Sequence, residues 1–360
     1  MEIFYWVVFG VYSLFLLVAV SNLVLMVRLR SEPKRKASLV ILIPARNEEE
    51  NLKRLVPELV TQGAKVVVYD DASEDRTGEV AAAAGATVVS GKELPEGWTG
   101  KNHGCHQLFL AASEMVEADW YVFLDADVFP SSYFVELLSD GLARHGYRWQ
   151  VITGITGQLS GKGLEPLYLG WVWWILLATN PFGLVGRTRM GHNRFLNGQF
   201  VCWHSRLYAE LQPHSELRSV ILEDVAIGRM LAKRKVPVLV MDVSGSLNVR
   251  MYPDLKSAFD GMSKNAFQIA GNSVGTVLLG VLLAVVALAW VPFANTHSVW
   301  VLLSLLIGGR LVTQLTVNNI NLWFLFHPIS LLMASVTFFR SELWRKQGKI
   351  AWKGRTYFGS

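Results

Sequence analysis

A chain of 360 residues holds one large domain or two ordinary ones, and 51% of its residues are hydrophobic against 18% charged, fewer charges than the roughly 25% usual in soluble globular chains. The shortfall lies in long uncharged runs at both ends, which excludes a uniformly soluble chain. Two cysteines, Cys105 and Cys202, exclude a disulfide framework and suit a reducing compartment. The net charge of +5 requires no nucleic acid, because much of it flanks the apolar runs, where Lys and Arg meet anionic head groups.

The first run, Phe4 to Val27, holds no charged side chain. At about 1.5 Å per residue it is long enough to cross a hydrocarbon core roughly 30 Å thick. It is too long for the core of a cleavable signal peptide and has no basic residue before it. Arg28, Arg30, Lys34, Arg35 and Lys36 follow it. The positive-inside rule therefore places the amino terminus outside and the next domain in the cytoplasm of a multi-pass protein of the cell (plasma) membrane. From 37 to 250 the pattern alternates strand and helix. LVILIP (39–44), KVVVYD (65–70), ATVVS (86–90) and WYVFLD (120–125) are short apolar runs ending in polar residues, and helix-like stretches lie near 47–61, 76–84 and 101–117. Such alternation predicts an α/β fold with a mostly parallel sheet covered on both faces, whose ligands bind off the carboxyl ends of the strands.

Within that domain Pro166 to Gly186 is a further uncharged run with Trp171, Trp173 and Trp174. As a crossing it would put the acidic motifs before and after it on opposite sides of the membrane. Pro166, Gly170, Asn180, Pro181 and Gly183 also suit a simple span poorly. Two readings stand: an interfacial helix over 166–186 with its Trp side chains at head-group depth and Arg187, Arg189 and Arg194 following, or a buried core helix. A juxtamembrane amphipathic segment is expected over 251–272. Beyond it, hydrophobic segments fall near 273–293, 298–317 and 321–339, followed by a basic tail over 340–360. Three full crossings would leave that tail outside, yet it carries Arg340, Arg345, Lys346, Lys349, Lys353 and Arg355 against Glu342 alone. Charge prefers it in the cytoplasm, so one segment is expected to be re-entrant or interfacial. Arg310 and the cluster Asn318, Asn319 and Asn321 mark the suspect region.

Four strand ends carry acids or their helix-forming neighbours. IPARNEE (43–49) leads through a Pro–Ala turn into an acidic first helical turn, which ordinary helix initiation explains. YDDASEDRT (69–77) ends a strand on Asp70 and Asp71, more acid than capping needs, and suits hydrogen bonds to a nucleobase or ribose. In FLDADVFP (123–130) Asp125 and Asp127 are two residues apart, so in an extended segment both point the same way. Paired carboxylates suit Mg2+ or Mn2+ shared with substrate phosphates. VILEDVAIGRMLAKR (220–234) opens a helix on Glu223 and Asp224 and closes it on Lys and Arg, which the helix dipole alone would favour. LPEGWTGKNHGCH (94–106) sets Lys101 at a helix start, where N–H groups and an ammonium favour phosphate; its His103, Cys105 and His106 have no second ligand pair and argue little for zinc. FLNGQF (195–200), with Asn197, Gly198 and Gln199, is a turn before a strand.

Taken in order, these residues resemble the family 2 glycosyltransferases, over most of the chain. The resemblance implies a GT-A fold, a Rossmann-like sheet with an Asp-x-Asp metal motif, between membrane-spanning termini. It implies that Pro44, Ala45, Arg46, Glu48, Asp70, Asp71 and Lys101 form the nucleotide-sugar pocket. Asp125 and Asp127 would hold metal and donor, and Asp224 would be the general base. Asn197, Gly198, Gln199, Glu223, Lys264, Trp171 and Trp173 would be acceptor or donor contacts. LPEGWTGK (94–101), RMYPDLKSAFDGMSKNAF (250–267) and IAWKGRTY (350–357) are similar to the bacterial carotenoid and hopanoid-associated members. Where processive synthases carry Gln-x-x-Arg-Trp, this chain has Ser263, Lys264 and Asn265, with Lys264 equally readable as a juxtamembrane anchor. The expected reaction is therefore an inverting, metal-dependent transfer of one sugar, from UDP-glucose by the family's habit, to a membrane lipid hydroxyl or carboxyl. Transfer to a polyprenyl phosphate, and a non-catalytic membrane scaffold, are the competing readings.

Overall fold

The computed structural model describes residues 1–31, 36–91, 93–188 and 195–347, with the backbone at 351–352 and 355–356. Lys34, Arg35, Arg189, Arg194, Lys349 and the side chains of the 350–357 motif lie outside the described residues. The chain divides into two compact units, an α/β unit of Met26–Gln158 with Phe182–Val249, and a helical unit of Met1–Leu25, Leu159–Pro181 and Arg250–Ser360.

Numbered along the chain, the strands of the α/β unit are β1 (Val27–Arg28), β2 (Leu39–Ala45), β3 (Lys65–Asp70), β4 (Thr87–Ser90), β5 (Trp120–Leu124), β6 (Val128–Pro130), β7 (Val151–Ile155), β8 (Gly157–Gln158), β9 (Phe200–His204), β10 (Val238–Asp242) and β11 (Leu247–Val249). The helices of both units are α1 (Glu2–Leu25), α2 (Glu49–Thr61), α3 (Thr77–Ala83), α4 (Gly100–Met115), α5 (Phe134–His145), α6 (Glu165–Thr179), α7 (Phe182–Thr188), α8 (Ser205–Leu211), α9 (Pro213–Glu216), α10 (Glu223–Lys233), α11 (Leu255–Ala270), α12 (Ser273–Leu288), α13 (Ser298–Thr316) and α14 (His327–Lys346).

Eight strands form one sheet in the order β1-β10-β7-β9-β5-β2-β3-β4. Its pairings are parallel except for β9, which is antiparallel to both β5 and β7. The all-apolar strand runs follow from burial on both faces. Ile41, Ile43, Val66 and Val68 face the buried side of α2, Leu52, Leu55, Val56 and Leu59. Alternate residues Val40, Leu42, Val67 and Tyr69 face Cys105, Leu108, Phe109 and Ala112 of α4, as the two-residue strand period requires. Parallel pairing of Ala45 with Asp70, and of Leu42 with Phe123, brings the carboxyl ends of β2, β3 and β5 to one sheet edge. Because β9 runs the other way, its first residue Phe200 lies beside Leu124. The 197–199 turn therefore enters at that same edge.

In the helical unit four segments are long and apolar enough to cross a membrane: Glu2–Leu25, Ser273–Phe293, Ser298–Thr316 and Leu322–Lys346. Their exposed residues, Ile3, Val7, Leu17, Leu278 and Leu282 among them, are apolar, as lipid-facing surfaces are. The Tyr12 hydroxyl donates to Val286 O at 2.5 Å, and Phe4 stacks on Phe293, so α1 and α12 are antiparallel. Ser335 donates to Gly280 O at 2.7 Å and Glu342 hydrogen-bonds Ser273, so α14 is antiparallel to α12 as well. Leu16 packs on Gly308 and Gly309, which sets α13 alongside α1 in the same direction. Consecutive helices α13 and α14 thus point the same way, and residues 317–326 return between them through a 3-10 turn at Leu322–Phe326. Asn321 anchors that return. Its Oδ1 accepts from Gln314 Nε2 at 2.9 Å and from the Trp323 N–H at 3.1 Å, and its Nδ2 donates to Asn319 Oδ1 at 3.0 Å. The end of α1, the start of α12 and the end of α14 share one end of the unit.

Of the two readings of the 166–186 run, the buried helix fits the structure over its first part. The run is not one helix: α6 stops at Thr179, where Asn22 donates to Leu177 O and Asn180 O, and Pro181 follows. Trp171, Trp173 and Trp174 are not laid out at a head-group surface. All three are buried, and Trp171 and Trp174 pack among residues of α1, α11, α13 and α14, since a helix apolar on every side is as suited to a protein core as to lipid. The 251–272 segment is α11, capped by Asp254, which accepts from the Ser257 N–H at 2.9 Å; Ala258, Met262 and Ala266 form its buried stripe.

Candidate active site

The first two acidic motifs interlock. Asp71 N–H donates to Ala45 O at 2.8 Å, and the Asn47 N–H donates to Ser73 Oγ at 2.9 Å. Asn47 Oδ1 accepts in return from the Glu74 N–H at 2.9 Å. Arg46 Nη1 donates to Asp71 O at 2.9 Å, and the Glu48 N–H donates to Thr77 Oγ1 at 2.8 Å. Asn47 and Ala72 both have positive φ, 54° and 51°, a conformation costly for Ala and held only by surrounding bonds. Pro44, Ala45, Arg46, Glu48, Asp70 and Asp71 therefore form one rigid rim at the carboxyl ends of β2 and β3.

Beside that rim Lys101 projects from the first turn of α4, between two carboxylates. Its Nζ is 2.8 Å from Asp125 Oδ1 and 2.9 Å from Glu223 Oε1. Burial opposes the ammonium, but the charges of Asp125 and Glu223 overcome this and hold its pKa well above the ordinary lysine value. Two residues not singled out in the sequence set this spacing. Thr99 caps α4 by accepting from the Asn102 N–H. Buried Asn102 then donates from Nδ2 to Leu217 O and Val220 O, each at 2.9 Å. The chain entering α10 is thereby pinned to the start of α4, with Glu223 opposite Lys101. The Thr-x-x-Asn of GWTGKN was the available signal, since Thr is a favoured N-cap.

Asp125 and Asp127 do not lie in an extended segment. Strand β5 ends at Leu124, and the motif forms the turn into β6, because the chain must leave the sheet edge there. Asp125 N–H donates to Gln199 O at 3.2 Å, and Asp127 Oδ1 is buried without a hydrogen-bond partner. Burial, then the neighbouring Asp125 charge, pushes the Asp127 carboxyl up to about 7. Across the cleft Asp224 Oδ2 accepts from the Gly198 N–H at 3.2 Å, and Oδ1 from the Val225 N–H at 2.7 Å. Burial, then the Glu223 charge, raises Asp224 to about 6, against the pull of Lys101 and the two N–H groups. A Cβ at Gly198 would come within 3.2 Å of Asp224 Oδ2 and Glu223 Oε1, so glycine permits this approach. Asn197 Nδ2 donates to Gly154 O at 2.9 Å and fixes the turn.

Pro44, Lys101, Asp125, Gly198, Glu223 and Asp224 line one cleft, together with Cys105, Phe123, Leu124, Leu196, Trp203 and His214. Of these, the apolar wall and His214 had no sequence signal. Burial lowers the His214 imidazole to about 3, so it is neutral, and its Nδ1 lies 2.6 Å from the Tyr208 hydroxyl. Lys264, Trp171 and Trp173 belong to the helical unit. The two tryptophans are 3% and 5% exposed. His103 meets the Tyr69 hydroxyl at 3.2 Å, and His106 stacks on Trp98. Among the described residues no three acid, His or Cys side chains are grouped as a ready metal site. Asp125 and Asp127 nonetheless offer hard oxygens, one of them an orphaned buried atom, as suits a cation completed by substrate phosphates.

Residues 40–209 match the family model described as glycosyl transferase family 2. The 4,4'-diaponeurosporenoate glycosyltransferase of Staphylococcus haemolyticus is 28% identical over 71% of this chain and 68% of its own length. The protein of that name from Staphylococcus aureus (strain USA300) is 26% identical over 89% of this chain and 88% of its own. A mannosyltransferase from Pyrobaculum calidifontis, solved in complex with GDP-Man and Mn2+, shares the fold with a TM-score of 0.57 at 14% identity, over 94% of this chain and 96% of its own. Sheet order, the acid-lined strand edge and these likenesses agree that residues 40–209 match a family 2 glycosyltransferase domain on a GT-A fold, in a chain whose apolar helices suit a membrane.

Proposed function

We propose that this enzyme transfers a single sugar from a nucleotide-sugar donor, UDP-glucose, to the carboxyl or hydroxyl of a carotenoid-like membrane lipid, with inversion, on the cytoplasmic face of the plasma membrane. The observation that carries the reading is the convergence of Lys101, Asp125, Glu223 and Asp224 at one sheet edge. The relatives' names support the acceptor class. The rim of Pro44, Ala45, Arg46, Glu48, Asp70 and Asp71 receives the nucleotide, and Asn197, Gly198 and Gln199 shape the sugar side of the cleft.

Asp125 and Asp127 would hold Mg2+ or Mn2+ together with the donor diphosphate, and the ion would supply neutralisation of the leaving group's charge. Lys101 moves from its carboxylate partners toward the diphosphate and binds it. Asp224 faces the acceptor. For a hydroxyl acceptor it takes the proton as the oxygen forms its bond to the anomeric carbon and the bond to the diphosphate breaks. A carboxylate acceptor arrives already ionised, and Asp224 then only orients it. One displacement inverts the configuration.

The test is transfer from radiolabelled UDP-glucose into extractable lipid, using membranes that carry the wild-type protein, Asp127→Asn or Asp224→Asn, with and without Mn2+. Labelled lipid that requires Mn2+ and falls at least 100-fold in Asp127→Asn is expected. No label from any common donor, in membranes holding the folded wild-type protein, would overturn the proposal.

A further inference from the structure

The helical unit holds a buried cation that no acid answers. Arg310 lies in α13, six residues before its end at Thr316, about 9 Å along the axis at 1.5 Å per residue. It is 5% exposed. Its Nη1 donates to Thr313 Oγ1 at 3.1 Å, one turn on. Among the described residues it has no ion pair with any carboxylate. Beyond the Thr313 hydroxyl, the polar groups on the facing helices are a further donor and an imidazole. Trp174 Nε1 is buried with no hydrogen-bond partner, and so are both ring nitrogens of His327. The Trp174 and His327 rings lie 4.9 Å apart, and the charge of Arg310 reaches His327.

Small residues clear this spot. A Cβ at Gly170 would stand 2.9 Å from Arg310 Nε and 3.0 Å from Nη2, and one at Gly309 would stand 3.4 Å from Trp174 Nε1. Three helices thus bring a guanidinium, an indole N–H and an imidazole together in an apolar unit. An unpaired buried charge is among the most costly arrangements a protein adopts, and in apolar helices such residues mark binding sites. Guanidinium with convergent N–H donors is the chemistry that holds an oxoanion, most strongly as a two-pronged pair.

We propose that Arg310, Trp174 and His327 form an oxoanion site for the head group of an anionic lipid, a phosphate or carboxylate whose acyl chain stays in the bilayer. The site is separate from the donor cleft and takes no part in the sugar transfer. The guanidinium holds the anion, Trp174 Nε1 and one His327 nitrogen donate to its oxygens, and Thr313 orients the arginine. An anionic head group would reach the site from the end of α13, about 9 Å away, where Asn318, Asn319 and Asn321 follow.

The full-length protein in neutral detergent is incubated with phosphatidylglycerol, phosphatidylcholine or oleate, and retained lipid is counted by native mass spectrometry. Wild type is expected to hold one anionic lipid at least tenfold more than phosphatidylcholine. Retention by phosphatidylglycerol alone assigns a phosphate, and by oleate alone a carboxylate. Arg310→Met should lose the preference tenfold, while Arg310→Lys keeps part of it. His327→Leu, which leaves the cation in place, should weaken retention without abolishing it and covers the case in which Arg310→Met does not fold. Equal retention of phosphatidylcholine and both anionic lipids by wild type overturns the proposal, as does unchanged anionic retention in a folded Arg310→Met.

Discussion

At the scale of single residues, Asp224 ties folding to chemistry. Its carboxyl sits at about 6 in the folded chain against an ordinary 3.8, so the folded state holds this proton more tightly than the unfolded one. Stability on this account falls as pH rises between about 4 and about 6 and is level above. Asp224→Asn should therefore melt a few degrees higher than wild type at pH 7, with the gap closing by pH 4, as a thermal melt would show. Activity separates the two acceptor chemistries. A hydroxyl acceptor predicts that transfer rises through pH 6 and falls about 10²- to 10⁴-fold in Asp224→Asn. A carboxylate acceptor predicts a flat profile there and a loss of less than tenfold. Assays of label transfer over pH 5–8 decide between them.

Among elements, α4 and the segment entering α10 depend on one amide. Asn102→Ala frees the Leu217 and Val220 carbonyls, which should cost about 1–3 kcal/mol in a melting experiment. It should raise the donor KM more than it lowers kcat, because Glu223 drifts from Lys101. The strands of this unit were legible because runs buried on both faces need no alternation to be recognised: KVVVYD is β3 residue for residue, and the three helices begin and end within a few residues of the pattern. The reversal of β9 was not legible. FVCWH is as apolar as its parallel neighbours, and direction is set by partners distant in sequence. The same holds for α6, whose tryptophans read alike for lipid and for core until α1 and α14 are seen against them. The acids were found by their order along the chain, whereas the Asp125–Asp127 turn and the Asn102 bridge depend on where the sheet edge lies.

For the whole molecule, the direction of the helices decides where the ends of the chain emerge. Helix α14 ends beside the start of α12, so Arg345 and Lys346 in its last turn share the end at which the chain enters α12. An impermeant maleimide applied to oriented vesicles should label Gln347→Cys and Asn295→Cys from opposite sides. Cys105 and Cys202 are buried and give little background. Labelling of both from one side would mean that α12 does not cross.

The pairing of Lys101 with Asp125 and Glu223 also bears on how the substrate arrives. In the resting cleft one ammonium faces several carboxylates, so on the proposed function donor entry would be an exchange of partners, the ammonium leaving two carboxylates for a diphosphate and a divalent ion taking its place. A nucleoside-diphosphate sugar with one such ion carries no net charge, and the exchange leaves the total within the cleft unchanged. Donor affinity should then vary little between 50 and 300 mM salt, unlike that of a cleft that captures its ligand by bare attraction.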